Sequence, residues 1–162
     1  MRGLTWIPDE RIAVGAMPVG DDAEALPAQG VTHAVNCRAV IQTIVSQDLW
    51  SERTILGVDN VAHAPMWDNG KPQSPAAWSA AALWAARVLD DDPNAGVLIH
   101  CQQGRRRSVL VAYAVLRLRG LTPADAARAI LTARPVTQLV PTYRASVERW
   151  LESVATPTDG KS

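Results

Sequence analysis

A chain of 162 residues suits one domain with one hydrophobic core, and 48% hydrophobic against 20% charged residues is a globular composition, not a disordered one. A formal net charge of zero gives no overall bias toward nucleic acid or an anionic surface, no run approaches the roughly 18 apolar residues that span a bilayer, and the first ten residues lack a signal-peptide core. Two cysteines, Cys37 and Cys101, cannot form a disulfide framework, so the expectation is a cytoplasmic monomer that takes no nucleic-acid partner.

Taken in chain order, residues 11–16 read as a short strand, 21–29 as a helix and 31–36 as a second strand. Residues 58–64 form a third candidate strand, followed by the turn signal Asp68-Asn69-Gly70. Ser74 as cap and Pro75 in the first turn open a helix to about residue 89. Its apolar positions Trp78, Ala81, Leu83, Trp84 and Val88 should make one buried face. Residues 97–99 are a continuous apolar run, as in a strand covered on both sides. A helix is predicted over 107–119 and stops at Gly120; Thr122 and Pro123, with Asp125 in a capping-box position, start another. The last helix covers 141–151. The whole reads as α/β, a central, mostly parallel sheet of about four or five strands flanked by helices. Residues 1–152 are expected to form a single domain and 153–162 a flexible tail.

The informative stretch is the loop between the buried strand and its helix: His100, Cys101, Gln102, Gln103, Gly104, Arg105, Arg106, Arg107, Ser108. A loop closing onto a helix N-terminus turns its backbone N–H groups into a nest for an anion. Gly104 permits the tight curl, and Arg107 can fork two phosphate oxygens, which a lysine cannot do. Cys101 lies at the base of the cradle, where amides, helix dipole and Arg107 favour a thiolate. A thiolate beneath a bound phosphate is an in-line nucleophile, and Ser108 can hydrogen-bond its sulfur. Each residue alone has an ordinary structural use; the joint spacing between a buried strand and a helix does not.

These nine residues match the His-Cys-x2-Gly-x2-Arg-Ser/Thr signature of the protein tyrosine phosphatases. The likeness to their dual-specificity branch extends over nearly the whole chain. Residues 12–16 resemble that branch's first strand and turn, Gly30 to Cys37 resemble its Gly-Ile-Thr-His-Val-Leu-Asn segment, and Arg134-Pro135 with Pro141 resemble its Arg-Pro…Pro-Asn segment. Thr142 departs from the pattern by replacing the usual Asn. The resemblance implies a protein tyrosine phosphatase-like fold and hydrolysis of phosphate monoesters, phosphotyrosine and/or phosphoserine and phosphothreonine, through a phosphocysteine. It implies no cofactor. Gln102, Gln103, Gly104, Arg105, Arg106 and Arg107 would bind phosphate, and His100 and Asn36 would support the loop.

Expelling an alkoxide or phenolate calls for a proton donor. Asp68, in the loop after the third candidate strand, has the spacing that the resemblance gives to the general acid; Asp59 is the weaker rival, and an ordinary Asp-Asn-Gly turn the plain alternative. Arg38 is expected to face the substrate. His33 and His63 read as strand or surface residues, and no His, Cys or carboxylate pair has metal-ligand spacing, so no metal is expected. Cys37 reads as a small buried residue, with a reversible disulfide to Cys101 as the alternative. The expected partner is a phosphorylated protein or a small phosphate ester. Three alternatives stand beside it: a non-protein polyanion such as a phosphoinositide, favoured by Arg105 and Arg106 at the pocket mouth; a phosphate-binding module without turnover; and a rhodanese-like sulfurtransferase.

Overall fold

The computed structural model describes residues 3–155. Five strands form one sheet, β1 (Leu4–Ile7), β2 (Ile12–Gly15), β3 (His33–Asn36), β4 (Val61–His63) and β5 (Val97–His100), in the order β1-β2-β5-β3-β4. Only β1 runs antiparallel, paired to β2 through a tight turn; β2, β5, β3 and β4 are parallel. The α/β expectation therefore holds, with five strands. β5 is the central strand, and all four of its residues are buried, which is why its sequence is apolar without alternation.

Among the described residues there are also seven α-helices: α1 (Asp21–Glu24), α2 (Val40–Ser46), α3 (Asp48–Leu56), α4 (Pro75–Asp91), α5 (Arg107–Leu118), α6 (Pro123–Ala133) and α7 (Pro141–Ala155). On one face of the sheet α5 is the hub. Its ten residues from Arg107 to Leu116 are all buried, packed with Trp78 and Leu89 of α4, Ile130 of α6 and Tyr143, Val147 and Trp150 of α7. A smaller cluster of Leu26, Val31, Ala34 and Leu98 covers the other face.

Several expectations shift. The predicted helix over 21–29 is one α-turn followed by a 3-10 turn at Pro27–Gln29. The strand placed at 58–64 is only Val61–His63, because Val58–Asn60 coil into a 3-10 turn. Leu83 is 42% exposed and does not join the buried face of α4. At α6, Thr122 Oγ1 accepts from the Asp125 amide (3.1 Å), but the Asp125 carboxylate pairs with Arg128 (3.0 Å) and does not close a capping box. α7 runs on through Ala155, so the expected tail is shorter at its start; its remainder lies outside the described residues. β1, α2 and α3 are elements that periodicity did not reveal. Among the described residues no helix is long and apolar enough to cross a membrane.

Candidate active site

The C-terminal ends of β2, β5, β3 and β4 lie along one edge of the sheet, and the segments that leave them meet there. This edge is where ligands of open parallel sheets bind. His100 ends β5 between Gly15 of β2 and Asn36 of β3. The chain then turns through 101–106 and enters α5 at Arg107.

Two features force this turn into its curl. Gly104 has φ +65°, and a Cβ there would lie 2.4 Å from the Gly15 carbonyl carbon and 2.9 Å from the Ala16 nitrogen. Only glycine meets both demands. Arg134, 1% exposed, holds the loop from behind: Nε donates to Gly104 O (3.0 Å) and Nη2 to Gln103 O (3.3 Å). Arg134 holds the Gln103 and Gly104 carbonyls, while the amides of Arg105 and Ser108 reach the Cys101 sulfur, the beginning of an anion nest. The sequence reading met Arg134 only as part of a matching segment and missed this role.

Cys101 is 4% exposed, with Sγ 3.3 Å from Ser108 Oγ. Burial opposes its thiolate, but hydrogen bonds from the Ser108 hydroxyl and amide and the Arg105 amide, with the Arg107 charge, outweigh it and bring the thiol down to about 7. Arg107 Nη1 donates to Gln42 Oε1 (2.9 Å) and to Met66 O (2.8 Å). Both bonds use one nitrogen, and the rest of the guanidinium makes no hydrogen bond among the described residues. The fork is thus aimed before any anion arrives.

Behind the cysteine lies a buried polar network. His100 Nδ1 is 3.3 Å from Cys101 O, and its Nε2 hydrogen-bonds and ion-pairs with the Glu52 carboxylate. Burial alone would discharge this imidazole; the Glu52 charge and hydrogen bond, with the contacts to Cys101, raise its pKa on balance. Asn36 Nδ2 donates to Glu52 Oε2 (3.2 Å) and Asp48 Oδ2 (2.8 Å). Asn36 therefore supports the loop at one remove, through Glu52 and His100. Arg38, expected to face substrate, is 5% exposed and bound to Asp48 Oδ1 (2.8 Å), because α3 brings that carboxylate inward. Glu52 and Asp48 escaped the sequence reading altogether.

Asp68 stands at the rim. Its carboxylate accepts from Tyr143 Oη (2.8 Å) and forms an ion pair with Arg106 Nη1 (3.4 Å). Arg106 is thereby engaged with the acid loop instead of fanning over the mouth, while Arg105 is exposed and has no ion pair among the described residues. Asp59, the rival, precedes β4 and so lies at the opposite edge of the sheet. The Asp68 loop is tied to α7 by hydroxyls: Thr142 Oγ1 donates to Gly70 O (2.6 Å), the Gly70 amide to Tyr143 Oη (3.1 Å) and the Gln73 amide to Ser146 Oγ (3.1 Å). Thr142, the departure from the pattern, thus anchors the Asp68 loop. Beside the loop, a cavity of about 660 Å³ opens between Met17, Pro18, Val19 and the Gln102, Gln103 and Arg105 rim. Cys37 is fully buried, and burial pushes its thiol up, leaving it inert beside the activated Cys101. Among the described residues no group of three or more His, Cys, Asp or Glu side chains could hold a metal ion.

No family model matches the chain, and no curated relative matches it in sequence. Solved structures do. Human DUSP28 superposes with a TM-score of 0.71 at 22% identity over 94% of this chain and 95% of that one. Tk-PTP in its active form gives 0.71 at 25% identity over 93% and 96%. PTPMT1 in complex with PI(5)P gives 0.78 at 18% identity over 94% and 96%. The fold is that of these phosphatase structures, matched nearly end to end in both chains.

Proposed function

We propose that the chain hydrolyses phosphate monoesters through a covalent phosphocysteine. In the first step the Cys101 thiolate attacks phosphorus while Arg107 and the loop amides hold the equatorial oxygens. The P–O ester bond breaks and the leaving oxygen takes its proton from Asp68. In the second step water attacks the phosphocysteine, its proton passing to the Asp68 carboxylate. The P–S bond breaks, inorganic phosphate leaves, and the hydrogen bond from Ser108 stabilises the departing thiolate.

One observation carries this reading: a buried cysteine whose sulfur is 3.3 Å from Ser108 Oγ and whose thiol is drawn down to about 7, beneath a loop that Arg134 and Gly104 hold in an anion-binding curl. Phosphotyrosine and phosphoserine or phosphothreonine peptides are the first substrates to assay. PTPMT1 was crystallised with PI(5)P, which brings a phosphoinositide into the same panel. The test is hydrolysis of p-nitrophenyl phosphate in chelator, with acid quench of a radiolabelled substrate to trap the intermediate. Metal-dependent turnover, or no label on Cys101, would overturn the mechanism. Thiocyanate formation from thiosulfate and cyanide would transfer the protein to the sulfurtransferases, and phosphate binding without turnover would make it a recognition module.

A further inference from the structure

Eleven large apolar side chains are exposed among the described residues, and their distribution is uneven. Six belong to segments that border the phosphate clamp: Val40 (53%), Ile41, Ile44 (62%) and Val45 (78%) on α2, Trp50 (72%) on α3 and Trp67 (55%) beside Asp68. Gln42 of α2 and Met66, the neighbour of Trp67, are the two residues that bind Arg107. Both bind the same guanidinium nitrogen, so the segments that carry this apolar surface adjoin the pocket where the clamp is anchored.

Its charge pattern points to the occupant. Between residues 39 and 52 every charged side chain, Asp48 and Glu52, is turned into the protein. The outward surface of this segment offers aliphatic groups, an indole, serines and a glutamine and no carboxylate, and Asp68 beside Trp67 is paired with Arg106. Across the pocket the exposed Arg105 supplies a cation. Apolar patches of this size rim interaction sites, and tryptophan and aliphatic side chains beside a cation suit the headgroup boundary of a bilayer.

We propose that this face docks on a lipid bilayer, and that the substrate is a phosphomonoester lipid presented at its surface. The inference rests on the phosphatase reading above and specifies its substrate class.

The test uses the full chain and vesicles of phosphatidylcholine containing phosphatidic acid, a phosphomonoester lipid, with phosphatidylglycerol vesicles as the anionic diester control. Wild type should sediment with both anionic vesicles and release phosphate only from phosphatidic acid. The double variant Ile44→Asp with Val45→Asp should lower bound protein and lipid phosphate release about tenfold, leaving kcat/KM for p-nitrophenyl phosphate within about twofold. Trp50→Ala, a milder surface change, should lower both lipid readouts several-fold and covers the case in which the double variant misfolds. Lipid turnover unchanged in both variants, an equal loss on aryl phosphate, or no sedimentation of wild type would overturn the proposal. So would a wild-type dimer that the double variant dissociates, since the face would then belong to a second copy. If wild type fails on p-nitrophenyl phosphate yet sediments normally, the phosphatase reading falls while the docking surface stands.

Discussion

The floor of the pocket and its acid-bearing rim are built by different means. The floor is buried and over-determined: the loop 101–106 is clamped by Arg134, wedged against β2 at Gly104 and underlain by His100 and Glu52. The rim is half-exposed, and Asp68 reaches its place through side-chain hydroxyls of α7 and one ion pair to Arg106, a third exposed on each side. The proposed nucleophile and phosphate site thus gain rigidity from the sheet, whereas the proposed proton transfer depends on a few surface-accessible hydrogen bonds. Buried contacts of the first kind are costly to break, and those of the second cost about 1 kcal/mol each.

The sharpest break in the comparison is at the floor. Cys101→Ser should lower turnover of an aryl phosphate by about a thousandfold or more while phosphate still binds, as read by calorimetry. More than a tenth of wild-type activity would refute the assignment. Asp68→Asn should follow, slowing an alkyl phosphate by about a hundredfold to ten-thousandfold and p-nitrophenyl phosphate far less, since nitrophenolate leaves without a proton. Equal losses on the two substrates would mean damage to the floor.

The pH dependence separates the two regions further. The thiolate is the reactive form, so kcat/KM should rise with pH up to about 7 and then level, about tenfold per unit on the acid side. Glu52→Gln removes the carboxylate that raises the His100 pKa, favouring less positive charge beside Cys101. Its thiol should shift upward and the acid limb with it, measured by iodoacetamide alkylation against pH. An unmoved limb would confine Glu52 to a packing role. The smallest effect is expected at the rim's tether: Tyr143→Phe should cost about fivefold on the alkyl phosphate, the worth of one hydrogen bond, and leave alkylation of Cys101 unchanged.

The floor was also the more legible region. An apolar run, a Cys-to-Arg spacing and a helix start occupy a few consecutive residues, so β5, the loop and α5 could be placed from sequence. Asp68 could be placed by spacing, but its holders on α7 lie more than 70 residues away. The segment from 40 to 56 escaped for a physical reason. Its buried residues include Thr43, Asp48 and Glu52, while Val40, Ile41, Ile44, Val45 and Trp50 face outward. Hydrophobic periodicity assumes that apolar means inside, and here the pattern is inverted. The same inversion hid Glu52 as a partner for His100 and removed Arg38 from the surface where a lone Arg is expected. At Arg106 the error was different: charge was visible in sequence, but its pairing with Asp68, 38 residues earlier, was not.

The central place of β5 has a kinetic consequence. Ile12 pairs with Val97 and His33 with Val97, so the sheet halves β1-β2 and β3-β4 cannot join until residues made near position 97 insert between them. Such long loop closures are slow to form. Cys101 acquires its lowered pKa only once that strand is seated and α5 has started. Near neutral pH the folded chain is therefore quickly alkylated at Cys101, while an unfolded one, with ordinary thiols near 8.5, reacts slowly, and buried Cys37 stays silent after folding. A pulse of iodoacetamide during refolding thus times the insertion of the last strand, and Cys101 is the protein's own clock.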